Sequence, residues 1–381
     1  MIVAHSAISP RQNFFPLALM NDLAQELADQ IINWVAAEDS MHLCICNLVC
    51  KRWLHRTRYY LFSRVHLNTK SLRYFVDLVE RSALPILCFI RHLELRYNDS
   101  PLDNTLLARA HLCPHLSRIE IIIAGPSTGW LRNEDLHSHL RSWSDASGSL
   151  SRLDLVVHRP TPNNVSLATL TNIVSCFPNL DTLGMRGIFL PEEEEMTNPL
   201  FTPSRLEHLF LSQAGAGGSV HLSWLRSFPV IPILKSLECA PPSINGLAWA
   251  SIGAYFQHAG KGLLSLKVGR INAQTLKEQI LQYAFNLENL RFRAENPAQL
   301  LKVLQSLRVS HAWIAIEVRV DGPRVGDDPI PWNVLDTLLA EPQFRKLRRF
   351  GILQFKADWT SIFSTQTMHL MPLANAPGIL V

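Results

Sequence analysis

An α/β fold is predicted for this 381-residue chain: a small N-terminal module of three helices, then an irregular solenoid of parallel strands with helices on its convex side. Three observations predict it. One short apolar pattern recurs ten times between residues 90 and 352, helix-like stretches separate the recurrences, and residues 17–66 ahead of them carry helical periodicity alone. The expected units are a tail over 1–16, the helical module over 17–66, the solenoid over 67–355 and a C-terminal cap over 356–381.

In "LAQELADQIINWV" Leu23, Leu27 and Ile31 recur four apart, with Ile32 and Val35 widening the stripe, while Gln25, Glu26, Asp29 and Gln30 take the opposite face. That is the pattern of an amphipathic helix. Asp39 and Ser40 are cap-type residues ahead of a second helix in which Leu43, Cys46 and Cys50 share a side. Val49 and Trp53, four apart, open a third. A unit this small buries only about 60% of the surface of its unfolded chain, so its apolar residues need a further partner.

The string Leu23, Ala24, Glu26, Leu27, Ile31, Ile32, then Leu48, Val49, Cys50 and Trp53, followed by "RYYLFSRVHL", resembles the F-box family. Its tail resembles the large F-box families of mushroom-forming fungi. Ala24 stands where the family carries proline. The resemblance covers about residues 21–67 and implies docking on the Skp adaptor, and through it on a cullin. By position it assigns that docking to Leu23, Ala24, Leu27, Ile31, Ile32, Val49, Cys50 and Trp53, with Trp53 as the aromatic anchor.

The downstream pattern is apolar-x-x-apolar-x-apolar, running from Ile90/Leu93/Leu95 through Leu180/Leu183/Met185 to Leu347/Phe350/Ile352. Successive middle positions lie 24 to 34 residues apart, a solenoid period. Stretches such as "SLRYFVDLVERS", "AQTLKEQILQYAF" and "WNVLDTLLAEPQ" between the matches have apolar residues three and four apart and predict helices. A strand, a helix and a strand of the same sheet require a crossover, so the strands are predicted parallel. This resembles the leucine-rich repeat, whose consensus continues to Asn or Cys; only Asn98 obliges, so an irregular horseshoe without an asparagine ladder is expected.

Side chains alternate along a strand, so the residue between the two inward positions faces the concave surface. These residues are Glu94, Glu120, Asp154, Gly184, Phe210, Glu238, Lys267, Arg291, Glu317 and Gly351. Gly184 and Gly351 carry no side chain to read; the other eight are the candidate target-binding set. Their charges predict an acidic patch followed by a basic one.

Composition narrows the function. With 47% hydrophobic and 18% charged residues the chain can bury enough apolar surface to offset its conformational entropy. A net charge of +4, without a long basic tract, gives no expectation of nucleic-acid binding; Arg345, Lys346, Arg348 and Arg349 form the densest basic segment and read as a solvated strand edge. The seven scattered cysteines predict reduced thiols, and the longest apolar run, "ALPILCFI", is too short to span a bilayer, so the expected location is cytoplasm or nucleus.

"GPSTG" at 125–129 fits the nucleophile elbow after a predicted strand, which makes Ser127 a candidate nucleophile, but no upstream His-Gly oxyanion motif accompanies it. "GAGGS" at 215–219 lacks the lysine of a phosphate-binding loop, and His42, Cys44, Cys46 and Cys50 have no second ligand pair to close a zinc tetrahedron. Glu192 to Glu195 read as a solvated loop. The expected function is therefore a non-catalytic substrate receptor of a Skp-cullin-F-box ubiquitin ligase that binds a target protein, with no cofactor, metal, nucleic acid or membrane. A repeat scaffold without ligase association and a serine hydrolase centred on Ser127 are the alternatives.

Overall fold

The structure is a computed structural model describing residues 24–38, 40–49, 51–81, 86–97, 113–124, 134–158, 165–190, 203–212, 218–240, 246–270, 273, 276–307, 313–320 and 332–354. The expected tail, the expected cap, Leu23, Cys50, Asn98, Ser127 and Glu192 to Glu195 lie outside these residues.

Three helices open the described chain: α1 (Gln25–Glu38), α2 (Ser40–Val49) and α3 (Lys51–Ser63). Ala28 and Ile32 of α1, Leu43 and Cys46 of α2, and Trp53 of α3 meet in a small core of their own, with Val35, Ala36, Val49, Tyr60 and Leu61 partly buried around it. Asn33 ties α1 to α3, since its Oδ1 accepts from Tyr60 Oη at 2.7 Å and from Arg56 Nη2 at 2.9 Å.

Behind the helices stands one sheet of eleven strands in chain order, β1 (Arg64–Asn68), β2 (His92–Tyr97), β3 (Arg118–Ile123), β4 (Arg152–Val157), β5 (Thr182–Arg186), β6 (His208–Ser212), β7 (Ser236–Ala240), β8 (Ser265–Arg270), β9 (Asn289–Ala294), β10 (Ala315–Val320) and β11 (Arg349–Gln354). Every pairing is parallel and joins sequence neighbours, which gives an α/β solenoid-like architecture. The connections carry α4 (Thr69–Arg81), α5 (Glu134–Ser147), α6 (Leu167–Ser175), α7 (Gly218–Arg226), α8 (Gly246–Ala259), α9 (Pro297–Ser306) and α10 (Trp332–Leu339). Between β8 and β9 the expected helix is a π-helical turn, Leu276–Leu281.

All ten strands predicted from the apolar pattern are present, and β1 is an eleventh. Phe62, Val65 and Leu67 repeat the same spacing, with Val65 and Leu67 buried and Phe62 packed against the core. Because β1 follows α3 without a break, the predicted boundary at 66/67 falls inside a strand, and the described helical module ends at Ser63. His55 packs edge-on against Phe89 with ring centroids 5.3 Å apart, and the Arg91 guanidinium lies 5.8 Å from the Tyr59 ring, so α3 is seated on the first turn of the solenoid.

The inward residues of all eleven strands form one continuous core from Val65 to Phe350. A backbone device marks each repeat. The carbonyl of Arg91 accepts from Ser117 and Arg118, that of Ser117 from Ser151 and Arg152, and the same double acceptance recurs to Ile314, which accepts from Arg348 and Arg349. Backbone carbonyls thus brace the entry to each strand, satisfying groups that burial would otherwise leave costly.

Candidate functional site

Two surfaces concentrate the residues singled out from sequence. The first is on the helical module. On α1, Ala28 and Ile32 turn inward while Ala24, Leu27, Ile31 and Trp34 are exposed, and positions 24, 27, 31 and 34 share one helical face. On α2, Ile45 and Leu48 are exposed, Leu48 to 83%. Isolated apolar residues on a surface need no explanation, whereas four at this spacing leave one apolar face of α1 open to solvent. Trp53, expected as the docking anchor, is 3% exposed and fills the module's own core together with Ile32. A side chain enclosed on all sides cannot present itself to a partner, so both residues act by holding the exposed face in place. Val49 is half-buried against the same core.

The second surface is the open face of the sheet. It carries the predicted middle positions, which the register aligns as Glu94, Glu120, Asp154, Gly184, Phe210, Glu238, Lys267, Arg291, Glu317 and Gly351. The expected acidic patch is corrected by the cations around it, some two places along the strands and some directly across in the middle row. Glu94 Oε2 lies 2.5 Å from His66 Nδ1 and 3.8 Å from Arg64 Nη2, and its Oε1 lies 3.6 Å from Arg96 Nη2. Arg118 reaches Glu120 at 3.0 Å and Asp154 at 2.8 Å, and Arg152 also holds Asp154 at 2.8 Å. Glu238 is held by Lys267 at 2.5 Å, and Glu317 by both Arg291 and Arg349. In each of these pairs the cation stands higher: the Glu94 side chain is 9% exposed under Arg64 at 55%, and Glu317 14% under Arg349 at 58%. The carboxylates form the floor and the cations the surface.

Phe210 is half-buried, and the Arg152 guanidinium lies 5.5 Å from its ring centroid. Arg152 reaches it across Gly184, where a Cβ would overlap Asp154 Oδ1. At the β1 end His66, Leu67, Asn68, Glu94 and Arg96 line an open cavity of about 360 Å³.

Burial lowers the His92 imidazole from 6.5 to about 4, helped by the nearby charges of Arg118 and Arg64. Glu120 Oε2 is 3.4 Å from its Nε2, near enough to favour the charged ring, but desolvation dominates. Desolvation also pushes the Cys113 and Cys239 thiols up to about 12, which leaves little thiolate at neutral pH. On α2 Cys44 is exposed and Cys46 buried, so the two face opposite ways. Among the described residues no helix is long and apolar enough to cross a membrane.

No family model matches the chain, and no curated protein matches it. Sequence reasoning missed Trp34 and Ile45 on the first surface, and Arg64, Arg96, Arg118, Arg152 and Arg349 on the second. A signal existed for both. Apolar residues at 27, 28, 31, 32, 34, 35 and 36 are too many for one stripe of α1, and strand alternation extends two residues either side of each middle position.

Proposed function

We propose that this protein is a substrate receptor of F-box type: the helical module docks on the Skp adaptor of a cullin ubiquitin ligase, and the leucine-rich-repeat-like solenoid holds a target protein. The observation that carries the reading is the exposed apolar face of Ala24, Leu27, Ile31 and Trp34 on α1, with Ile45 and Leu48 exposed on α2, on a module with a core separate from that of the sheet. Three short helices that leave such a face to solvent suit a partner that covers it. The function is proximity: a target held near the conjugating machinery meets it at high effective concentration, so the receptor itself need do no chemistry.

The test is calorimetric titration of the full chain with a purified Skp adaptor. The reading expects saturable binding that Leu27→Asp or Trp34→Asp abolishes. Absence of binding by the unaltered chain leaves the second reading, a repeat scaffold without ligase association, which the inward placement of Ile32 and Trp53 favours.

A further inference from the structure

We propose that the open face of strands β8 to β11 binds an acidic peptide segment. This names the target chemistry for the recognition face and rests on that part of the reading, not on the partner of the helical module. Lys267 and Arg291 are direct cross-strand neighbours in register, an arrangement unfavourable between like charges. Arg291 and Arg349 share the single carboxylate of Glu317, while Glu238 is taken by Lys267. On the rim before β11, Arg345, Lys346 and Arg348 are exposed. A ligand approaching this corner therefore meets guanidinium and ammonium groups whose own counter-charges lie beneath them.

The Arg291 and Arg349 side chains are 46% and 58% exposed, so an incoming carboxylate can reach guanidinium N–H groups, whose fork suits a carboxylate. A peptide suits this corner better than a nucleic acid. The open-face positions of β8 to β11 carry no aromatic ring on which a base could stack.

The experiment is fluorescence anisotropy of the full chain with a labelled peptide of alternating Glu and Ser, beside its Gln-for-Glu counterpart. Binding of the Glu peptide alone is expected, weakening about tenfold as ionic strength rises from dilute buffer to well above physiological. Combined Lys267→Glu, Arg291→Glu and Arg349→Glu should abolish it. Lys267→Gln with Arg291→Gln, a milder change to folding, should weaken it at least about fivefold. Glu317→Gln removes the competing carboxylate and should tighten it by about threefold or more. Reversal of Lys70 and Arg73 on α4 should change nothing. Equal binding of the Gln peptide, indifference to the neutral pair, or no tightening by Glu317→Gln overturns the proposal. So does an oligouridylate of equal charge that displaces the peptide with higher affinity, which would make the face a nucleic-acid surface. Adaptor titration separates the two readings: the triple variant should retain adaptor binding, and an unaltered chain that binds the adaptor but not the Glu peptide sinks only this inference.

Discussion

At the scale of single residues, Trp53 and His92 show how burial decides a role that residue type leaves open. Trp53 sits among Ala28, Ile32, Leu43 and Cys46, and Thr57 one turn on is also buried, its hydroxyl donating to the Trp53 carbonyl at 2.8 Å. Trp53→Ala should therefore destabilise the helical module by about 3–5 kcal/mol through the cavity it leaves. Urea unfolding followed by helical circular dichroism measures this; a change in adaptor affinity without loss of stability would return Trp53 to the surface role. His92 carries the opposite kind of information. Its folded-state pKa is depressed from 6.5 to about 4. The unfolded chain then binds this proton first as pH falls, so the stability His92 contributes is present above about pH 6.5 and is lost progressively down to about pH 4. His92→Gln should flatten that part of the melting-temperature profile relative to the unaltered chain; parallel profiles would show the imidazole does not matter there.

At the scale of elements, α1 has two apolar faces, and among the described residues the inward one packs in the module's core while the other is exposed. Leu27→Asp and Trp34→Asp should each cost about 2 kcal/mol or more of adaptor affinity if they lie at an interface centre. Thermal stability should stay within about half a kcal/mol, since neither residue is in the core. Ala24 precedes α1, and its carbonyl accepts the first intrahelical bond from Ala28 at 3.0 Å, yet its side chain caps nothing. Ala24→Ser should raise the helix's stability by about 1 kcal/mol, read as a higher melting temperature of the module. Ten strands were legible because the apolar spacing that makes a strand pair and bury cannot vary without exposing the core. The eleventh, β1, has the same spacing but lies in the tail of the F-box resemblance, which hid it. Helical periodicity could not distinguish an α-helix from the π-helical turn Leu276–Leu281, whose apolar residues also face one side. The charge of the early open face was misread from its middle row alone, because Arg64, Arg96, Arg118 and Arg152, which cover Glu94, Glu120 and Asp154, stand two residues from that row.

At the scale of the molecule, stability passes from repeat to repeat. Each inner strand's inward pair is buried by the pairs on either side, and from Arg91 to Ile314 each repeat's entry carbonyl receives two amides from the next. An array of this kind has no closed sub-core, so its stability approximates a sum of repeats and their interfaces. Ending the chain after Ala240 tests this. Leu237 and Cys239 of β7 would lose Leu266 and Val268 of β8, their register partners, and the carbonyl of Lys235 would lose the amides of Leu264 and Ser265. Strands β2 to β6 keep both neighbours and β1 keeps β2, so loss should be partial: a lower melting temperature and stronger binding of a dye specific for exposed apolar surface, with the sheet still formed. The cation cluster of β8 to β11 goes with the removed piece, whereas the face of Ala24, Leu27, Ile31 and Trp34 stays. Adaptor binding should therefore survive while binding of the acidic peptide is lost. A truncated chain as stable as the whole, with no added dye binding, would show that residues 241–381 fold as a unit apart from the rest.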